Sequence, residues 1–197
     1  MPSLQDMKQR AKEAGLMKLD RLIASRQHIP SNEFPIPLAE LCARYEKLYT
    51  GCINDVMREL CLLNQNLPSE IMPLRDEMTV CGEAFTVKSA PNVMIEGEMT
   101  FRAQMLDEMK PGGLVVWDTS GDTEASLWGG VMTATAISKG IRGAVIAGGI
   151  RDTKQILEQK FPLFYKYRTS NGSLGRCMIT HYQVPVSYTH LTLPTIA

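Results

Sequence analysis

Two short segments carry residue types that could do chemistry together. The first is Gly148-Gly149-Ile150-Arg151-Asp152, directly after the apolar run at residues 143–147. A glycine pair at the carboxyl end of a strand lets backbone approach a ligand closely, and the next two residues set a cation beside a carboxylate. Arg151 offers a planar fork for a carboxylate or enolate, and Asp152 supplies the hard oxygen that Mg²⁺ or Mn²⁺ prefers. The same spacing also suits an ordinary strand-to-helix turn, with Asp152 capping a helix over residues 153–160 and Arg151 solvated. The second segment is Trp128-Gly129-Gly130-Val131-Met132-Thr133, which opens a predicted helix. Free amides at a glycine-containing helix start suit a carboxylate or a phosphate. Close packing of helix on sheet through Gly129 and Gly130 is the competing explanation. Between the segments, Asp118, Ser120, Gly121 and Asp122 make a polar loop, in which Asp118 and Asp122 are either supporting groups or turn formers. His28, His181 and His190 are scattered, with no Ser or Cys spaced to complete a triad. Thr50, Asn54 and Asp55 could line a cleft, although capping accounts for Thr50 and Asn54.

Elements that would position these residues follow from periodicity. Residues 38–48 and 52–62 have helical spacing, with Thr50 placed to cap the second helix. Residues 79–89 alternate and are β-rich, with Gly82 at a bulge or close approach. Residues 100–109 read as helix, 114–117 as a buried strand ending at Asp118, 128–139 as helix, 143–147 as strand, 152–160 as helix and 163–167 as strand. This alternation predicts β-α-β crossovers and a largely parallel sheet, whose ligands bind beyond the strands' carboxyl ends. Residues 1–37 read as an amphipathic helical extension and Pro-rich linker, and 38–186 as the folded domain. From Ser187 the composition changes abruptly and no terminating element is predicted. That segment is similar to translated sequencing-adapter tails and is expected to be non-native, the alternative being an ordinary disordered tail.

Composition narrows the partners. The 197 residues are 44% hydrophobic and 21% charged, enough for one domain with a core. With 21 Lys+Arg balancing 21 Asp+Glu and no basic run, neither nucleic acid nor an anionic membrane is expected as partner. A small ligand is. No apolar stretch approaches the roughly 20 residues of a membrane span, and residues 1–9 lack a signal core, so a cytoplasmic location is expected. Cys42, Cys52, Cys61, Cys81 and Cys177 include no C-x-x-C pair. They are expected to be reduced and mostly buried.

Five segments together resemble the RraA-like family: LYTGCINDVMREL (48–60), CGEAFTVK (81–88), KPGGLVVWD (110–118), WGGVMTATAISKGIRGAVIAGGIRD (128–152) and YRTSNGSLGRC (167–177). That family includes 4-hydroxy-4-methyl-2-oxoglutarate aldolases, oxaloacetate decarboxylases and regulators of ribonuclease E. The resemblance implies an α/β fold, a β/β/α swivelling-domain sandwich of the phosphohistidine type with a largely parallel central sheet. It implies a homotrimer or hexamer with sites between subunits. It matches Asp152 to the metal-holding Asp and Arg151 to the Arg that binds substrate and steadies an enolate. It matches Gly129, Gly130, Val131 and Met132 to the loop whose amides hold a pyruvyl carboxylate. The implied activity is a Mg²⁺- or Mn²⁺-dependent carbon–carbon lyase that releases pyruvate from small α-keto acids. The alternative is a non-catalytic regulator that binds and inhibits a ribonuclease. Such regulators can lack an acidic residue where this chain has Asp152, which favours the enzyme. Two departures stand out: Gly130 occupies the position of an Asp or Glu that assists proton transfer in aldolases, and the segment from Ser187 replaces further family strands. Decarboxylation tolerates the first departure better than aldol cleavage does.

Overall fold

Short runs rich in Val, Ile and Trp that are apolar on both faces belong in the middle of a sheet, and here they form its centre. The computed structural model describes residues 35–60, 63–94, 96–188 and 191–193. In chain order the elements are α1 (Leu38–Tyr45), α2 (Thr50–Glu59), β1 (Met72–Pro73), β2 (Glu83–Pro91), α3 (Glu98–Asp107), β3 (Gly113–Asp118), β4 (Ser126–Trp128), α4 (Gly130–Ser138), β5 (Gly143–Ile150), α5 (Thr153–Glu158), β6 (Leu163–Arg168), β7 (Cys177–Tyr182), β8 (Val186–Tyr188) and β9 (Leu191–Leu193). The fold is mixed α/β. Its central sheet runs β1-β6-β5-β3-β2-β7, with β4 beside β5. The pairs β2/β3, β3/β5, β4/β5 and β5/β6 are parallel, and the outer pairs β1/β6 and β2/β7 are antiparallel.

Alternation sorts the two faces. Val115 and Trp117 of β3 and Ala144 and Ile146 of β5 join the main core, where Met105 of α3, Ala136 of α4 and Ile156 of α5 pack on them. Val116 and Val145 point the other way and meet Ile71, Val186 and Tyr188 in a smaller cluster. A residue's parity along β3 therefore decides which side of the protein it serves.

Several local expectations are corrected. Thr50 lies inside α2, whose cap position is Tyr49, and makes no capping hydrogen bond. Trp128 ends a short strand, so the helix starts at Gly130. The strand from Gly143 runs through the glycine pair to Ile150, because Ser126 and Trp128 of β4 pair with Gly149 and Ile150 and keep that stretch extended. Helix α5 stops at Glu158, with Lys160 at φ 53° ending the turn. The strand predicted from residue 79 begins at Glu83 and extends to Pro91. Gly82 is a close approach, as expected: a Cβ there would stand 2.9 Å from the Gly112 carbonyl oxygen. Past Val186, where no element is predicted, β8 and β9 pair antiparallel. The predicted amphipathic helix at residues 1–29, most of the Pro-rich stretch, Cys61, His28 and His190 lie outside the described residues. The four described cysteines are unbridged; Cys42 and Cys177 are buried, Cys81 is half-buried and Cys52 is exposed, so burial is less general than expected. Among the described residues no helix is long and apolar enough to cross a membrane.

Tyr188 is only 3% exposed, so the hairpin contributes to the smaller core. Tyr188→Ala is expected to cost about 3 kcal/mol through the cavity it leaves. Urea denaturation of the purified variant measures this, and an unchanged midpoint would show that the hairpin is not docked.

Candidate functional site

The turn from β5 into α5 is made by Asp152 in the left-handed region, at φ 56° and ψ 35°. Asp tolerates that conformation better than most residues, at a cost of about 1 kcal/mol. Its carboxylate does not cap its own helix. Instead Oδ2 accepts the Gly130 N–H at 3.0 Å, from the first turn of α4. This ties the two glycine-bearing segments together. It also leaves the Val131 and Met132 amides of that first turn without a partner inside their helix.

Contact this close requires Gly129. A Cβ on it would stand 2.7 Å from Asp152 Oδ2 and 3.1 Å from Arg151 Cγ. On the far side of Arg151, a Cβ on Gly172 would lie 3.1 Å from Nη1. Arg151 thus runs between two residues that lack side chains, with its own N–H bonded to the Trp128 carbonyl at 2.9 Å. Its Nε stands 3.6 Å from Asp152 Oδ2, and both side chains remain part-exposed, at 49% and 41%.

These groups border a cavity of about 440 Å³ whose walls include Met99, Leu106, Leu127, Trp128, Met132 and Leu174. Of the residues singled out in the sequence, Gly129, Val131, Met132, Arg151 and Asp152 line it. Gly130 joins through its amide, and the Gln155 side-chain amide occupies the space that a side chain on Gly130 would need. Asp152 and Arg151 also border a second recess with Arg168 and Thr169.

Asp118 and Asp122 do not line the cavity. Asp118 shares the parity of Val116, so it faces away from Trp117 and the main core. It accepts the Ser120 N–H at 2.8 Å and stands 3.8 Å from Lys88 Nζ. Asp122 is a loop former: Oδ1 accepts from the Ala125 amide (2.8 Å), the Glu124 amide (3.1 Å) and the Tyr167 hydroxyl (2.8 Å), and Oδ2 from Cys177 Sγ (2.9 Å). Thr50, Asn54 and Asp55 are also absent from it; Asn54 Nδ2 donates to Asn66 Oδ1.

Sequence reasoning missed Arg102. It sits on α3, 7% exposed, and lines the cavity. Its Nη2 donates to Ser173 Oγ at 2.9 Å, and its guanidinium lies 5.7 Å from the Trp117 ring centroid. Burial draws this guanidinium below its ordinary pKa, against the opposing pull of Glu98 and Cys177. The available signal was Glu98 four residues earlier, an i,i+4 pair whose acidic member lies just before the helix predicted over residues 100–109.

The donor set tests which metal would fit. No group of three His, Cys, Asp or Glu is arranged for metal binding among the described residues. Among the described residues that line the cavity, Asp152 is the one carboxylate, and its Oδ1 makes no hydrogen bond to them. This fits Mg²⁺ or Mn²⁺, which keep several waters and are held by one or two carboxylates plus ligand oxygens, and it does not fit a closed four-ligand zinc site.

For Asp122, burial alone would raise the carboxyl, but hydrogen bonds from Cys177, Ala125, Tyr167 and Glu124 outweigh it and hold the group below its ordinary value. A depressed folded-state pKa contributes stability above the unfolded value of about 4, and that contribution is lost as pH falls through the folded value. Asp122→Asn is therefore expected to flatten the acid limb of stability. Denaturation midpoints measured between about pH 5 and about pH 2.5 check this; parallel wild-type and variant curves would contradict it.

Comparison with known proteins places this geometry in a family. The RraA-like family, described as aldolase/RraA, matches residues 50–194. A Halalkalibacterium halodurans protein with the provisional name 4-hydroxy-4-methyl-2-oxoglutarate aldolase is 30% identical over 148 residues, 75% of this chain and 66% of that one. A crystal structure described among novel cellulases from microbes associated with the gut ecosystem is 61% identical, with a TM-score of 0.86 over 93% of this chain and 83% of that chain. The Streptomyces coelicolor RraAS2 structure, from the family of RNase ES inhibitors, has a TM-score of 0.69 at 23% identity, covering 82% of this chain and 80% of that one. The chain spans 20% to 66% of the lengths of the curated relatives it matches. Because the matched span takes in the paired glycine segments, the cavity and most of the sheet, the protein belongs to the RraA-like aldolase/RraA family.

Proposed function

We propose that the protein is a divalent-metal-dependent lyase that releases pyruvate from a small α-keto acid, with decarboxylation of oxaloacetate favoured over aldol cleavage. The observation that carries this reading is one carboxylate and one guanidinium, Asp152 and Arg151, held at the edge of an apolar cavity beside the unpartnered amides of α4. The substrate's 1-carboxylate lies against the Val131 and Met132 amides, where the helix dipole favours an anion. Asp152 would hold Mg²⁺ or Mn²⁺, which when bound supplies Lewis-acid polarisation of the keto oxygen. Arg151 stabilises the negative charge that develops on that oxygen as the carbon–carbon bond breaks.

Proton handling separates the two reactions. Aldol cleavage needs a base to take the proton of the substrate hydroxyl, and the position beside the cavity that could carry one is Gly130, covered by the Gln155 amide. Decarboxylation expels CO₂ and then needs only one proton on the enolate carbon, which solvent supplies. Hydrolysis of a glycan, the activity named for the 61%-identical structure, calls for two carboxyl groups roughly 5–10 Å apart across the bond. Asp152 is the one carboxylate among the described residues that line this cavity, which supports keto-acid chemistry instead. The family resemblance also supports a trimeric or hexameric working unit and the swivelling-domain fold.

The experiment is pyruvate release from oxaloacetate and from 4-hydroxy-4-methyl-2-oxoglutarate, with Mg²⁺ and with excess chelator. Chelator-sensitive turnover of oxaloacetate is expected, and Asp152→Ala is expected to lower it by about 100-fold or more while the variant keeps its fold in far-UV circular dichroism. Full activity in Asp152→Ala would overturn the site. Absence of turnover, together with capture of a ribonuclease, would support the regulator instead.

A further inference from the structure

Helix α1 has one buried residue, Cys42. One turn further on, at the end of the same helix, Glu46 binds two groups at once: its Oε1 accepts the Cys81 backbone N–H at 3.3 Å and pairs with Arg142 Nη2. Residues four apart on a helix share a face, so Cys81 is anchored against the side of α1 that carries Cys42. The two thiols share a hydrogen bond, and neither is bridged. Cys81 precedes β2 and Arg142 precedes β5, both strands of the parallel set, so this cluster lies at the amino ends of the strands. The candidate site lies beyond the carboxyl end of β5, and the lyase reading uses neither thiol. Two thiols in contact can be simple core filler. This pair differs in access: Cys42 is 2% exposed, whereas Cys81 is half-buried. One sulfur can meet a reagent in solvent, and the other is placed to meet the first.

We propose that Cys42 and Cys81 form a modification site, a dithiol that exchanges with small disulfides of the glutathione class and closes into an intramolecular disulfide, stapling α1 to the segment that leads into β2. The Cys81 thiolate attacks one sulfur of the small disulfide and expels a small thiolate, leaving a mixed disulfide on Cys81. Cys42 then gives up its proton and attacks the Cys81 sulfur, and the second small thiolate leaves. One small disulfide is reduced to two thiols as the two protein thiols are oxidised to one disulfide. The charged and titratable groups around Cys81 are Cys42 and Glu46 of α1 and Arg142 ahead of β5. Burial, the hydrogen bond with Cys42 and the negative charge of its neighbours push the Cys81 thiol up to about 11, against the pull of Arg142. The attacking thiolate is therefore scarce at neutral pH, which makes the staple a slow lock that follows the surrounding thiol–disulfide balance and not a fast peroxide sensor. Closing a loop of about 40 residues restricts the unfolded chain, so the linked form is the more stable one.

The test is incubation of the reduced full chain with oxidised glutathione, an acid quench, and mass mapping of tryptic peptides without reduction. A cross-link between residues 27–44 and 76–88 is expected, since each of these peptides carries one of the two cysteines and no other. Closure is expected to quicken about tenfold per pH unit between about pH 7 and about pH 9. The linked protein is expected to melt about 5 °C or more above the reduced one, a gain that dithiothreitol removes. Cys42→Ser is expected to stop at a glutathione adduct on Cys81, and Cys81→Ser to leave Cys42 unmodified. The wild-type map stands whether or not either variant folds. Glutathione retained on Cys81 of the wild type, a link from either cysteine to a different one, or a Cys81 that stays free while the exposed Cys52 is modified overturns the proposal. A linked protein that melts no higher than the reduced one overturns the staple.

Discussion

The contact between the Asp152 carboxylate and the Gly130 amide organises the candidate site. It joins the end of β5 to the start of α4 across 22 residues of chain, at 3.0 Å, and holds Asp152 in a left-handed turn that few residues adopt. The local conformational cost is small beside what the contact accomplishes. It satisfies one free amide of α4, leaves the next two open, and aims the carboxylate along the cavity edge. Gly129 is the condition for it, since any side chain there would collide with Asp152 and Arg151. The two glycine-containing segments are thus one device, and the packing and binding explanations of Gly129 describe the same atoms.

Sheet parity then decides which polar residues can take part. On β3, Trp117 faces the main core and lies beneath Arg102, while Asp118, one residue on, faces the other side and pairs with Lys88. A shift of one position would exchange a tryptophan for a carboxylate under the cavity. Asp122 is spent on the loop between β3 and β4, where it gathers two amides, a hydroxyl and a thiol. That loop carries Ser126, Leu127 and Trp128 to the cavity wall, so Asp122 serves the site through the backbone it shapes.

The electrostatics of the cavity are uneven by construction. Arg151 and Asp152 are part-exposed and adjacent, able to exchange water for ligand at modest cost, whereas Arg102, on α3, is largely buried. A charge that is already desolvated gains more from a well-placed partner than an exposed one does.

By itself the amino-acid sequence determined the alternation of strands and helices, the close approach at Gly82, the family, and the pairing of two glycine segments with Arg151 and Asp152. These are local: each depends on residue type, on period, or on a run of consecutive residues. Tertiary structure decided what depends on which residues meet. It left Asp152 at the start of its helix but gave its carboxylate to the Gly130 amide, while β4 keeps the glycine pair extended. It moved Asp118 and Asp122 away from the cavity, since strand parity and loop hydrogen bonds are invisible in a list of acidic residues. It brought Arg102 to the cavity from a helix that had shown no site residue, and paired residues 186–188 with 191–193 where no element was expected. Periodicity along one element says which face is buried, but what lies against that face depends on strand order and register, which a single segment does not encode.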